Sequence, residues 1–226
     1  MKLQNKVIVV TGGGNGIGRE LILNLLNKGA HAAAVDTNAS ALQETVELTG
    51  SNKDRLSTHI VNITDRDAVA ALPEQIISRH GAVDGIINNA GIIQPFVRVN
   101  ELDYAAIEKV MNVNFYGTLY MTKAFLPHFL KRPEAHIVNV SSMGGFLPVP
   151  GQSVYGAAKA AVKLFTEGLH SEILKTNVKV TVVFPGAIGT NIAANSGVAI
   201  SLGAESADQQ RSFNPMAPSK AAEIII

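Results

Sequence analysis

The 226-residue chain has no cysteine and no tryptophan, and only 16% of its residues are charged. Without cysteine it has no disulfide, no thiolate nucleophile and no Cys-type zinc site. Its 19 Lys and Arg against 18 Asp and Glu leave a net charge of +1, and no basic run is longer than Lys131–Arg132. Such a balance lacks the electrostatic footprint of a nucleic-acid binder. No apolar run approaches the roughly 18 residues that a membrane span needs. The opening "MKLQNKVIVVTGG" passes into a strand pattern without an apolar leader region. The expectation is a cytoplasmic protein with neither nucleic acid nor membrane as a partner. The six histidines (His31, His59, His80, His128, His136, His170) show no H-x-x-x-H spacing, so no metal site is expected.

What the chain does have is 46% hydrophobic residues, which suits a sheet covered on both faces. Six short, β-branched runs read as buried strands: 6–10, 31–36, 56–63, 83–90, 135–142 and 178–184. Helical patterns alternate with them. The first carries Leu21, Ile22, Leu25 and Leu26 on one face and stops at Gly29. Another opens at "TDRDAVAAL", where Thr64 can cap and Asp67 follows three residues later. Longer patterns cover about 101–131 and 152–175, and "AFLPHFL" reads as core packing around Pro127. This rhythm predicts an α/β fold, a Rossmann-type doubly wound parallel sheet with helices on both faces, as one domain over 1–226. "APSKAAEIII" starts like a helix, with Ser219 as a possible cap, and ends on three apolar residues. A final helix segment and C-terminal strand are expected beyond it.

The first strand runs into "TGGGNGIG", in which Gly12, Gly16 and Gly18 open a helix. Glycines there permit a tight turn and let a pyrophosphate approach the helix N-terminus. Asn15 and Ile17 join them as cofactor-binding candidates. Asp36 ends the second strand 18 residues after Gly18. A carboxylate at that place accepts hydrogen bonds from the adenosine ribose hydroxyls and repels a 2′-phosphate, so NAD is expected over NADP. Farther on, Tyr155 and Lys159 lie one helical turn apart, which puts phenol and ammonium on one face. Taken alone, that pair reads more readily as an ordinary surface pair. "GQSVY" has Tyr155 where a hydrolase elbow needs its second glycine, which rejects acyl-transfer hydrolysis.

"TGGGNGIG", "NNAG" (88–91), "NVNFYG" (112–117), "VNVSS" (138–142), "YGAAK" (155–159) and "PGAIGT" (185–190) occur in one order at sensible distances. Together they resemble the short-chain dehydrogenase/reductase family in its single-domain branch, up to about residue 190. The resemblance implies a Rossmann-type fold, a nicotinamide cofactor and a homodimer or homotetramer that assembles through 101–131 and 152–175. It implies Tyr155 as general acid/base, with Lys159 as its electrostatic partner and as ligand of the nicotinamide ribose. Ser142 would then hydrogen-bond the substrate oxygen, and Asn114 would hold a water linking Lys159 to solvent. Asn89, Ala90 and Gly91 would line the adenosine side; Pro185, Gly186, Ile188 and Thr190 would hold the nicotinamide end. The family commonly carries an Asp after its third strand, where this chain has Asn62. Adenine contact is expected there through the Asn62 side-chain oxygen and the Ile63 backbone.

Free tyrosine ionises near pH ~10. An ammonium about 4 Å away, worth on the order of 4 kcal/mol at an effective dielectric of 20, is expected to lower that value. A substrate loop is expected over about 187–215. Neither the segment after Ser142 nor the one after Gly186 carries a charge before Glu205. The expected substrate is therefore a neutral, apolar secondary alcohol or its ketone, touched by Phe146, Leu147, Gln152 and Ile192. Two alternatives stand beside this reading. One is a 3-oxoacyl reductase, which would use NADPH and a basic docking surface. The other is a catalytically silent NAD-sensing regulator on the same fold.

Overall fold

A computed structural model describes residues 1–198 and 215–226. Six strands form one parallel sheet: β1 (Val7–Thr11), β2 (His31–Asp36), β3 (Leu56–Ile60), β4 (Gly85–Asn88), β5 (Ala135–Val140) and β6 (Val178–Val183). Their order across the sheet is β3-β2-β1-β4-β5-β6, which makes the expected doubly wound parallel sheet. The helices are α1 (Gly16–Asn27), α2 (Ala39–Leu48), α3 (Arg66–His80), α4 (Tyr104–Met111), α5 (Thr118–Phe129), α6 (Ser153–Ile173), α7 (Ile192–Ser196) and α8 (Pro218–Ile225).

Alternation along β1 divides the core into two layers. Val7 and Val9 join Val69, Leu72 and Ile76 of α3, Phe125 and Phe129 of α5, and Leu169 and Ile173 of α6. Ile8 and Val10 face the opposite way, onto Leu21, Ile22, Leu25 and Leu26 of α1, Leu42 of α2 and Ala222 of α8. "AFLPHFL" is core packing as expected, with the Phe125 and Phe129 rings stacked 5.9 Å apart.

Local details differ from the sequence reading. The cap of α3 is Asp65, whose carboxylate accepts from the N–H groups of Asp67 and Ala68. Thr64 is engaged instead with the Asn62 side chain. The pattern over 101–131 is not one helix: a π-helical turn, Asn112–Gly117, separates α4 from α5. α8 begins at Pro218 after Ala217, so Ser219 lies inside its first turn rather than at the cap. Of the expected substrate loop, α7 and the Ile188–Met216 bridge are described; 199–214 lies outside the described residues.

Strand order reverses between β1 and β4. In doubly wound sheets, ligands bind at such a switch point, in the crevice beyond the carboxyl ends of the strands. The loops after all six strands meet there.

Candidate active site

A cleft of about 1070 Å³ crosses the carboxyl ends of the strands, just above the roughly 300–1,000 Å³ typical of ligand sites. Gly12, Asn15, Gly16, Ile17, Asp36, Asn62, Ile63, Asn89, Ala90, Gly91, Ser142, Tyr155, Lys159, Pro185, Gly186, Ile188 and Thr190 all line it. Gly18 and Asn114 do not, and each acts from behind the wall.

At the β1 end, Gly12 and Gly16 adopt left-handed backbone, with φ of 70° and 51°. Asn15 caps α1 through its Oδ1, which accepts from Gly16 N. A Cβ on Gly18 would run into the Gly12 carbonyl, so this glycine serves close helix–loop packing. Arg19, which the sequence reading passed over, clamps the loop from outside. Its Nε and Nη2 donate to Gly14 O at 3.1 and 2.6 Å, and Nη2 pairs with Glu44 at 2.7 Å. Asp36 turns its carboxylate to the loop: Oδ2 accepts from Gly14 N and Oδ1 from Asn38 N, both at 3.0 Å.

The loops after β3 and β4 form the middle of the cleft. Asn62 Oδ1 accepts from both Thr64 N and Thr64 Oγ1, so the oxygen expected to face adenine is already committed to a local turn. Thr11, a second residue without a sequence signal, holds the "NNAG" loop. Its hydroxyl accepts from Asn89 N and Ala90 N, and its carbonyl accepts from Asn89 Nδ2, all at 3.0 Å.

At the β5 end, Tyr155 and Lys159 project from successive turns of α6. Ser141 Oγ donates to Lys159 O at 2.8 Å, which ties α6 to the end of β5. Ser142 Oγ accepts from Gly144 N at 3.1 Å. The phenol is pushed above its ordinary range by burial, while hydrogen bonding with Ser142 pulls the other way. The net shift is therefore upward, opposite to the lowering expected from Lys159. The ammonium stands 6.0 Å from the ring centroid and donates to Val140 O at 2.9 Å. Burial lowers Lys159 itself to about 8, which leaves it mainly cationic at neutral pH. Behind both residues, Asn114 is fully buried. Its Oδ1 accepts from Ile92 N at 2.9 Å and its Nδ2 donates to Ile92 O at 2.8 Å. The expected water-holding amide is thus engaged with backbone. A Cβ on Gly91 would lie 2.9 Å from Asn114 Oδ1 and 3.1 Å from Lys159 Nζ, so the absence of a side chain there keeps the cleft open in front of the lysine.

The four expected substrate contacts separate. Ile192 lines the cleft. Phe146 and Leu147 are about half exposed and lie outside it, with Phe146 edge-on to Phe184 at 5.3 Å. Gln152 is buried away from the cleft, where Nε2 donates to Gln94 O at 2.7 Å. The wall near Tyr155 comes instead from Ile92, Ile93 and Phe96, and α4 adds Glu108 and Lys109 to the lining. Among the described residues, no three His, Asp or Glu side chains gather as metal ligands, and no helix is long and apolar enough to cross a membrane.

A doubly wound sheet with a glycine-rich turn after β1 and a Tyr–Lys pair beside a Ser at its far end defines a dinucleotide-fold oxidoreductase. The sequence matches the short chain dehydrogenase family over residues 6–199, and the chain belongs to that family of oxidoreductases, enzymes that act on CH–OH groups. It is 42% identical over 198 residues to a Mycobacterium tuberculosis protein named as an oxidoreductase, SadH, covering 87% of this chain and 71% of that one. The 3-oxoacyl-(acyl-carrier-protein) reductase FabG of Thermotoga maritima is 34% identical over 192 residues, or 84% of this chain and 77% of that protein. Among solved structures, a short-chain dehydrogenase/reductase from Burkholderia phymatum in complex with NAD superposes with a TM-score of 0.88 at 26% identity, covering 99% of this chain and 85% of that one.

Proposed function

We propose that this chain transfers a hydride between NAD(H) and a neutral, apolar secondary alcohol or its ketone, with Tyr155 as general acid/base. The observation that carries the reading is the convergence of Tyr155, Lys159 and Ser142 on the cleft that begins at Asp36 and the α1 N-terminus. The residues fit a dinucleotide. Gly12, Gly16 and Gly91 leave unfilled the space that side chains would occupy, backbone N–H groups of α1 suit a pyrophosphate, and the Asp36 carboxylate suits ribose hydroxyls while opposing a 2′-phosphate. The Burkholderia structure carries NAD.

When bound, the nicotinamide supplies the hydride acceptor or donor. The protein's part is proton transfer and charge stabilisation. Burial holds the Tyr155 phenol protonated, ready to donate to a carbonyl oxygen as it becomes alkoxide; in the alcohol direction the phenolate takes the hydroxyl proton. Lys159 stabilises that phenolate, and Ser142 is a fixed donor for the developing oxyanion. Because the phenol is raised, ketone reduction runs at neutral pH and alcohol oxidation rises toward alkaline pH. Ile92, Ile93, Phe96 and Ile192 supply an apolar wall, which supports an apolar substrate. Tyr104 and Leu164, largely exposed on α4 and α6, support self-association through those helices.

A 3-oxoacyl reductase is the second reading, favoured by the Thermotoga relative. Asp36 stands against an NADPH-dependent form of it. The deciding experiment is a panel of neutral ketones, charged oxo acids and 3-oxoacyl thioesters with NADH and NADPH. Neutral ketones with NADH are expected to turn over, and Tyr155→Phe to lower kcat by about 100-fold or more. Turnover of charged oxo acids alone, or an unimpaired Tyr155→Phe enzyme, refutes the reading.

A further inference from the structure

The helix that carries Tyr155 and Lys159 is capped from elsewhere in the chain. Its N-cap residue, Gln152, makes no side-chain capping bond, although the first turn of a helix leaves backbone N–H groups without intrahelical partners. Two of these groups, on Val154 and Tyr155, both donate to Oε1 of Gln94 at 2.9 Å. The other end of that amide donates to Gly151 O at 2.9 Å. Gln152 Nε2 closes the arrangement by donating to Gln94 O at 2.7 Å. Gln94 is fully buried and outside the cleft, whereas Ile92, Ile93 and Phe96 on either side of it line the wall. The same strap is fixed at Ile92 by the Asn114 amide, through both N–H and C=O.

We propose that Gln94 is a positioning residue for Tyr155: its side chain caps α6 from the strap that lines the cleft, and so fixes the phenol beside Ser142 and ties its position to the cleft wall. Tyr155 is the third residue of α6, within the turn that frays when a cap is lost. No other side chain among the described residues accepts from the N–H groups of Val154 or Tyr155. Loss of the cap leaves Lys159, one turn farther in and tied to Val140 and Ser141, where it is; the effect falls on the phenol. The inference rests on Tyr155 being the acid/base, and its test is chosen to separate the two.

Gln94→Met keeps the side chain's length and removes both its acceptor and its donor. Gln94→Glu keeps an acceptor for the two N–H groups; burial favours its neutral carboxylic acid, whose O–H is a donor for Gly151 O. The expected result is a folded Gln94→Met protein that binds NADH as the wild type does, with KM little changed and kcat lowered by about 100-fold, the size of effect a displacement near 1 Å produces. Gln94→Glu is expected to recover most of that loss. A second readout needs no turnover: the Tyr155 phenol is titrated by ultraviolet difference absorbance in the protein alone, against Tyr155→Phe as the blank. Fraying re-solvates the ring, so Gln94→Met is expected to titrate at lower pH than wild type, and Gln94→Glu close to it. Gln94→Met that turns over and titrates like wild type overturns the proposal. So do equal losses in the Met and Glu variants, which mere packing would give. If the wild type reduces nothing in the panel, the acid/base reading fails and the phenol titration alone decides the role of Gln94. If Gln94→Met does not fold, Gln152→Met, which removes only the donor to Gln94 O, is compared in the same two ways.

Discussion

The Lys159 ammonium donates to the Val140 carbonyl at 2.9 Å, from a side chain that is 4% exposed. Val140 is the last residue of β5, so the charge is anchored to the sheet and is free of any carboxylate among the described ion pairs. Burial lowers the lysine to about 8 from 10.5, which makes it a charge that the fold holds at a cost. Below pH 8 both the folded and unfolded chains carry the proton and the burial penalty is complete. Between pH 8 and 10.5 the folded chain has released the proton while the unfolded chain has not, so stability attributable to Lys159 rises with pH across that window.

Lys159→Met is therefore expected to be more stable than wild type at pH 7, by about 1–2 kcal/mol. The gain in desolvation exceeds the loss of the bond to Val140 O. Its activity is expected to fall by about 100-fold or more, because a phenolate in that site loses its counter-charge. Urea denaturation at pH 7 and pH 10, beside initial rates, checks both. A variant less stable than wild type at pH 7, or one whose stability difference does not shrink at pH 10, overturns the account.

Asn114→Leu is expected to destabilise the fold by about 2–4 kcal/mol. It leaves the N–H and C=O of half-buried Ile92 without their partner, and a lost partner costs about 1–3 kcal/mol at a buried group. Because Ile92 lines the cleft beside Lys159, binding of NADH and turnover are expected to suffer as well. Chemical denaturation and NADH titration read these out; a change within about 0.5 kcal/mol, as for an ordinary surface substitution, would show that the π-helical turn is held by packing instead.

The inner strands were legible as short apolar runs between turn residues, buried throughout in β1 and β4 and nearly so in β5. The edge strands β3 and β6, expected to be buried too, are largely half-buried or exposed, because among the described residues nothing pairs with their outer side. The glycine turn, Asp36 and the Tyr155–Lys159 pair likewise stand out by spacing along single elements, whereas Ser142 and the roles given to Tyr155 and Lys159 came from the resemblance to the family. What the sequence hid lies between elements. The π-helical turn at Asn112–Gly117 depends on tertiary structure, with Asn114 reaching Ile92 more than twenty residues away, and a helical hydrophobic pattern passes smoothly over it. Gln94, Thr11 and Arg19 are lone polar residues in or beside loops, and nothing local marks them as partners of α6, the "NNAG" loop or Gly14. Asp65 replaced Thr64 at a cap because Asn62 captured the threonine first. Phe146, Leu147 and Gln152 were placed near the substrate by sequence proximity to Ser142 and Tyr155, and the chain turns away between them.

Acid sensitivity is expected from the β3 edge. The Ser57 hydroxyl lies 2.9 Å from His59 Nε2 and 2.8 Å from His80 Nε2. Its single proton serves one ring, and the other must donate to it. Burial, and then the charges of His31, Arg79 and His59, lower His80 to about 4; burial also lowers His59. Above pH 6.5 neither state binds the extra proton. As pH falls from 6.5 toward 4 the unfolded chain takes up protons that the folded chain refuses, so stability declines through that window and levels off below it. The His80 share is about 1 kcal/mol once solvent screening of a half-exposed ring is allowed for. His80→Gln is expected to flatten the slope of unfolding free energy against pH between 6.5 and 4, and an unchanged slope would remove His80 from the explanation.

On the proposed reading, cofactor choice turns on one carboxylate. Asp36 accepts from Gly14 N and Asn38 N, which leaves it oriented at the end of β2 with lone pairs for two ribose hydroxyls. A 2′-phosphate in that place meets like charge, and Arg19, the cation nearest the loop, is spent on Gly14 O and Glu44. Wild type is expected to bind NADH at least about tenfold more tightly than NADPH, a difference of about 1.4 kcal/mol. Asp36→Asn keeps an acceptor for the loop and removes the charge, so it is expected to erase that ratio chiefly by improving NADPH. Asp36→Ala also releases Gly14 and Asn38 and is expected to weaken both cofactors. With no tryptophan and four tyrosines in the chain, energy transfer from tyrosine to the bound reduced nicotinamide gives the signal. If NADPH binds more tightly to wild type, the carboxylate does not set the preference, and the 3-oxoacyl reductase reading takes precedence over the alcohol dehydrogenase.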